Sequence, residues 1–211
     1  MRNGIEHYAQ YLGPRFRTFT AAFEAFIVMG GRTIVELGTI RSFVPGHAEG
    51  CMSSDPRYWD PTDPSKWDWG AGFFTRICAQ RLERYRPEIH TVDIDPKAMQ
   101  VSRIASADFR HLITYHVSSS EEFLRSFPKK IDLLYMDSAD LDEDAAKLHL
   151  REAVIAVSRG LFSDDAIVLV DDAAIQKGHT SKGMWSIAYL LGHGFELKMF
   201  EYQALLQRTA G

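Results

Sequence analysis

Carboxylates recur in this chain at one kind of place, in or just beyond a short apolar run. Glu36 and Gly38 stand in "TIVELGT", Asp93 and Asp95 in "TVDIDP", Asp137 and Asp140 in "YMDSAD", and Asp171 and Asp172 in "IVLVDDA". A buried β-run that ends in an acid and a glycine leads into the tight turn that grips a nucleotide-like ligand. The acid of the next run suits a ribose, because one carboxylate can accept hydrogen bonds from two hydroxyls. After a third run come Ser118, Ser119, Ser120 and Glu121, short polar groups able to bond a purine edge. If the last two runs are neighbours, Asp137, Asp171 and Asp172 converge. Like charges that close are costly unless protons or a cation offset them. Hard oxygen ligands in that number suit Mg2+, or else Mn2+ or Ca2+. Each Asp also has a plainer reading as a helix cap or turn opener, with no metal bound.

The elements that must position these groups follow from the apolar pattern. Five runs read as strands: "TIVEL" (33–37), "IHTVDI" (89–94), "ITYHV" (113–117), "IDLLYM" (131–136) and "AIVLV" (166–170). Amphipathic stretches at helical spacing separate them, and a further helix over 14–29 precedes the first. Near-continuous apolar strands alternating with helices predict an α/β fold, a Rossmann-like, doubly wound, mostly parallel sheet with helices on both faces. The C-terminal "SIAYLLGHGFELKMFEYQALLQR" predicts a helix, a turn and an antiparallel pair on one sheet edge. One segment breaks the rhythm. Residues 42–69 are rich in Pro, Asp and Trp and carry no period, yet hold Tyr58, Trp59, Trp67 and Trp69. A long loop with that many aromatics is expected to fold over something. Gly70 and Gly72 follow it, so the glycines missing after Gly38 are delayed by an insertion.

With 211 residues, one domain is expected, and 45% apolar and 25% charged residues are the balance of a soluble globular chain. A net charge of −4 offers no basic field to nucleic acid. The N/D-P-P-Y/F tetrapeptide of base methylation is absent as well. Two cysteines, Cys51 and Cys78, have no metal-type spacing and fit a reducing compartment. No apolar run reaches the ~18 residues that span a bilayer, so no membrane is expected and the cytoplasm is the plain location.

In this order the motifs resemble the class I S-adenosylmethionine-dependent methyltransferases, and within them the metal-dependent small-molecule O-methyltransferases such as catechol O-methyltransferase. "VELGT" looks like the first motif, "TVDIDP" like the ribose-binding strand end, and "SSSEEF" like the adenine-side segment. "IDLLYMDSAD" and "IVLVDDA" look like the two metal-holding strand ends. The resemblance implies S-adenosylmethionine bound by Glu36, Gly38, Asp93, Ser119, Ser120, Glu121 and Asp137, and a divalent metal on Asp137, Asp171 and Asp172. It implies a hydroxylated small molecule as acceptor, and a homodimer is open. Relatives often place a Lys or His base three residues beyond the strand-four Asp. Here Asp140 stands there, as a weaker base, an extra ligand or a surface acid, with His179 and Lys177 as alternative bases. The tryptophans would form a lid or substrate wall, or else pack on the sheet's edge or a partner. Competing readings are an NAD-dependent oxidoreductase, another reaction on the same metal site, and a non-catalytic binding subunit.

Overall fold

The computed structural model describes residues 4–46, 54–174 and 180–209. Seven strands form one sheet in the order β3-β2-β1-β4-β5-β7-β6. They are β1 (Thr33–Leu37), β2 (Glu88–Asp93), β3 (Ile113–Val117), β4 (Ile131–Met136), β5 (Phe162–Val170), β6 (Phe195–Phe200) and β7 (Ala204–Arg208). The first five pair in parallel, and β7 joins β5 and β6 antiparallel. This is the expected Rossmann-like α/β sheet with its antiparallel C-terminal edge.

Helices α1 (Ala9–Leu12), α2 (Arg15–Val28), α3 (Phe74–Leu82), α4 (Pro96–Ala105), α5 (Ser120–Ser126), α6 (Glu143–Ser158) and α7 (Ser186–Leu191) cover the sheet. The two-residue period of the strands sorts the core into two halves. Ile34, Leu133, Tyr135, Ile167 and Leu169 meet Phe19, Phe23 and Phe26 of α2 and Phe74 and Ile77 of α3 on one face. Val35, Leu37, Leu134, Met136 and Val168 meet Phe123, Ala153 and Leu190 on the other.

Two regions differ from expectation. Strand β5 begins four residues earlier than "AIVLV" suggests, because Asp164 and Asp165 are exposed while the strand passes a register shift between Ile131 and Leu133. The acids hide the strand in sequence but meet water in the fold. The 42–69 segment, where described, is a chain of single turns, Pro56–Tyr58, Pro64–Lys66 and Trp69–Ala71. The side chains of Asp55 and Asp63 open the first two by accepting from the amide two residues on, ahead of a proline that needs no donor. No helix among the described residues is long and apolar enough to cross a membrane.

Candidate active site

The carboxyl ends of β1, β2, β4 and β5 open on one concave surface. Its larger part is a cavity of about 550 Å3 whose wall includes Arg15, Gly38, Asp93, Asp137, Asp172 and Lys182. A smaller part of about 300 Å3 shares Gly38, Asp93, Ile94 and Ala139 and reaches Ser119, Ser120 and Glu121. The shared residues make one groove across the β1–β4 boundary, where the strand order reverses and ligands of open α/β sheets bind.

The turn after β1 is tight because Gly38 has φ +81, and a Cβ there would stand 2.4 Å from the Asp137 carbonyl oxygen. Gly72, with φ +88, comes back to the same residue: its Cβ would lie 3.9 Å from Asp137 Oδ2. The insertion therefore separates two glycines in sequence and returns the second to the site. Three residues with side chains, Phe73, Ala139 and Asp172, also hold left-handed φ values of 47°, 60° and 49° beside it. Such positions cost ~1–3 kcal/mol each and persist where the surroundings impose them.

Glu36 does not face the groove. It is 1% exposed, and its Oε2 accepts from the hydroxyls of Thr39 (3.1 Å), Thr91 (2.5 Å) and Thr75. Burial pushes its carboxyl up to about 7 against those hydrogen bonds. The expectation of cofactor contact at Glu36 is thus corrected to a brace that ties the turn to β2 and α3. Asp93 is on the wall. Its Oδ2 accepts from the Thr39 amide at 3.0 Å and its Oδ1 from the Asp95 amide at 2.8 Å, leaving one lone pair on each oxygen for a ligand hydroxyl. Ser119 caps α5: its Oγ accepts from the Glu122 amide at 3.3 Å and donates to the Glu122 carboxylate at 3.1 Å. Ser120 and Glu121 then lie on the groove's smaller end.

Asp137, Asp171 and Asp172 do converge, with oxygens within 4.8 Å of one another, a spacing one ion could bridge. They are already met by cations of the chain. Arg15, in the first turn of α2, donates from Nε to Asp171 Oδ1 at 3.0 Å and from Nη2 to Oδ2 at 2.7 Å. Lys182 Nζ donates to Asp137 Oδ1 at 2.9 Å and lies 3.2 Å from Asp172 Oδ2. Gln203 Nε2 donates to Asp171, and the Tyr202 hydroxyl to Asp172. Burial would push Asp171 up, but the Arg15 charge and its two hydrogen bonds hold it below the usual carboxylate range. Burial and the adjacent Asp171 charge hold Asp137 above it. In this arrangement two of the cluster's carboxylates face one ammonium and the third is gripped bidentately, so a divalent ion would have to compete with the chain's own cations.

Asp140 sits on the rim, with its Oδ1 2.7 Å from Arg41 Nη2, and this hydrogen bond holds its carboxyl below the usual range. A carboxylate so paired is a poorer base, so Asp140 fits the surface-acid reading. His179 and Lys177 lie outside the described residues. The tryptophans form no wall of either cavity. Trp59, Trp67 and Trp69 pack ring against ring with one another, with Phe73, and with Tyr8 and Tyr11 of the N-terminal segment. The Arg76 guanidinium lies 5.5 and 5.2 Å from the Trp59 and Trp67 rings. Packing, not a lid, is what the loop's aromatics do. Arg15, Lys182 and Tyr202 were missed in sequence, because nothing local marks them. The unbalanced charge of three converging acids was the available signal.

No family model matches the sequence, and no curated protein matches it. Solved structures do match in shape. SAH-bound methyltransferase PaMTH1 from Podospora anserina superimposes with TM-score 0.60 over 93% of this chain and 79% of its own, at 12% identity. An O-methyltransferase from Bacillus cereus in complex with SAH gives 0.55 over 92% and 81%, at 10% identity. N-methyltransferase NodS from Bradyrhizobium japonicum gives 0.54 over 92% and 95%, at 11% identity. The sheet order, the strand-end groove and these likenesses together give the chain the Rossmann-like fold of the class I S-adenosylmethionine-dependent methyltransferases.

Proposed function

We propose that the protein transfers a methyl group from S-adenosylmethionine to a hydroxyl of a small molecule. The observation that carries this is the continuity of the groove, from the Gly38 turn past Asp93 to Ser120 and Glu121. The ribose hydroxyls would meet the free lone pairs of Asp93. The adenine would lie toward Ile94, which is 73% exposed and offers an apolar face, with Ser120 and Glu121 beyond it. The sulfonium end would pass Gly38 into the larger cavity, where the acceptor has room. Two solved structures of this fold hold SAH, which supports the same class of ligand here.

The reaction is an in-line displacement at the methyl carbon, and the departing thioether is neutral. The site therefore has to align the hydroxyl oxygen and take up its proton rather than stabilise a leaving group. Asp137, on the wall and held above the usual carboxylate range, is placed to accept that proton. Metal assistance, which the resemblance implies, would require an ion to displace Lys182 from Asp137 and Asp172.

Titration calorimetry with S-adenosylmethionine tests the reading. One site per chain is expected, weakened at least tenfold in Asp93→Ala, or about 1.4 kcal/mol. No binding to the wild type would overturn it and make a nicotinamide dinucleotide the next ligand to try.

A further inference from the structure

We propose that Lys182 is the resident cation of this site and that its ammonium does the work a divalent ion would do: it neutralises Asp137 and Asp172 and directs the acceptor's hydroxyl oxygen. This rests on the methyl-transfer reading only for the identity of the acceptor; the claim about the cation stands on geometry alone.

Three observations converge. The first is position. Lys182 Nζ lies 2.9 Å from Asp137 and 3.2 Å from Asp172, between two of the three carboxylates that could share an ion. The second is preorganisation. The Lys182 side chain is 4% exposed, its amide donates to the Asp172 carbonyl at 3.2 Å, and the neighbouring Ser181 hydroxyl donates to the Ala173 carbonyl at 2.6 Å. The lysine is thus fastened to the strand end that carries its partners, and it does not wander in from the surface. The third is charge. Arg15 already takes both oxygens of Asp171, and the Lys182 ammonium meets the other two acids, with the Tyr202 hydroxyl also donating to Asp172. A divalent ion added to Arg15 and Lys182 would leave four positive charges against three negative ones.

The chemistry follows. An ammonium has three donors and no acceptor, and two of those donors are committed to Asp137 and Asp172. Lys182 is also on the cavity wall, so the third can point at an acceptor oxygen there. A hydroxyl oxygen held by that donor is fixed in direction and loses its proton more readily, the two services a Lewis-acidic ion gives. No covalent step passes through the lysine.

The test is Mn2+ binding followed by electron paramagnetic resonance on the purified chain, with S-adenosylmethionine titrated on the same preparations. Wild type is expected to leave Mn2+ free at concentrations where Lys182→Met, of similar length without the charge, binds one ion per chain at least tenfold more tightly. Lys182→Gln serves if the methionine variant does not fold, with the same expectation, and Lys182→Arg is expected to stay ion-free. One tightly bound Mn2+ in the wild type would overturn the proposal. So would a Lys182→Met or Lys182→Gln protein that gains no affinity. Failure to bind S-adenosylmethionine would instead sink the methyl-transfer reading and leave the Mn2+ result to decide the cation.

Discussion

The two halves of the groove are built in opposite ways. On the β1–β3 side the polar groups are fastened by uncharged donors: Asp93 by the amides of Thr39 and Asp95, Ser119 by the amide of Glu122, and Glu36 by the hydroxyls of Thr39, Thr75 and Thr91. On the β4–β5 side the acids are held by cations, Asp171 by Arg15 of α2 and Asp137 by Lys182 of the segment after β5. The first half gives a fixed polar surface for a ligand that brings its own hydroxyls. The second gives a dense, almost balanced set of charges, which stabilises only while every member is present.

The hardest way to break that contrast is to remove one of those cations. Arg15→Met leaves Asp171, which is fully buried, without its partner. Breaking a buried pair in this way costs ~3–5 kcal/mol, a large share of the ~5–15 kcal/mol that holds a domain together. Denaturant unfolding should show that loss, and the double variant Arg15→Met/Asp171→Leu should recover much of it. A single variant as stable as wild type would mean that the pair contributes nothing and the contrast is false. The pH sense is also set. The folded Asp171 carboxyl lies below its unfolded value of ~3.9, so the pair's contribution is present above that value and is lost as pH falls through the folded one.

On the other side, Glu36 has the opposite sign. Its folded carboxyl titrates at about 7, above the ordinary 4.5. Between those values the folded protein keeps a proton that the unfolded chain has released, so stability falls as pH rises from 4.5 to 7. Glu152, buried and also pushed up to about 7 by burial, acts in the same sense. His149, which burial pushes down to about 3, acts in the other, so the wild-type profile alone is ambiguous. The difference between wild type and Glu36→Gln isolates the residue. The two should agree below pH 4.5, and the variant should be more stable at pH 8 by on the order of 3 kcal/mol. A variant that is less stable throughout would show that the three hydroxyls hold Glu36 as an anion.

The same contrast decides what was legible in the sequence. Strands β1, β3 and β4 have the bounds their apolar runs suggest, and the order of acid, glycine and acid places the groove correctly, because those signals are local. Arg15 and Lys182 left none. An arginine in "PRFRTF" and a lysine in "SKGM" look like solvated surface until the sheet brings α2 and the segment after β5 over the same strand ends. The excess of negative charge was visible, but a metal is not the one remedy, and the chain's own cations were the nearer source. Glu36 was misplaced for a different reason. It lies inside a strand that is buried along its whole length, where a carboxylate points at protein rather than ligand. The tryptophans were ambiguous by nature, since a flat apolar ring serves a core, a lid or an interface equally well.

The contrast still mixes two properties, charge and burial, and the rim separates them. Arg41 and Asp140 come from the turns after β1 and β4, 99 residues apart, and pair at 2.7 Å, but their side chains are 63% and 73% exposed. If charge alone were what makes a pair matter, Asp140→Asn would cost as much as breaking Arg15 from Asp171. If burial decides, water and salt screen the pair and the loss is about 0–1 kcal/mol. We expect the small value, with S-adenosylmethionine affinity unchanged because Asp93 and Ser120 are untouched. Thermal unfolding in low and moderate salt reads the stability, since whatever the pair contributes should fade as the screening length shortens. A loss of several kcal/mol would place Asp140 with the buried charges. A large loss of turnover at unchanged stability would return it to the role of base, ahead of Asp137.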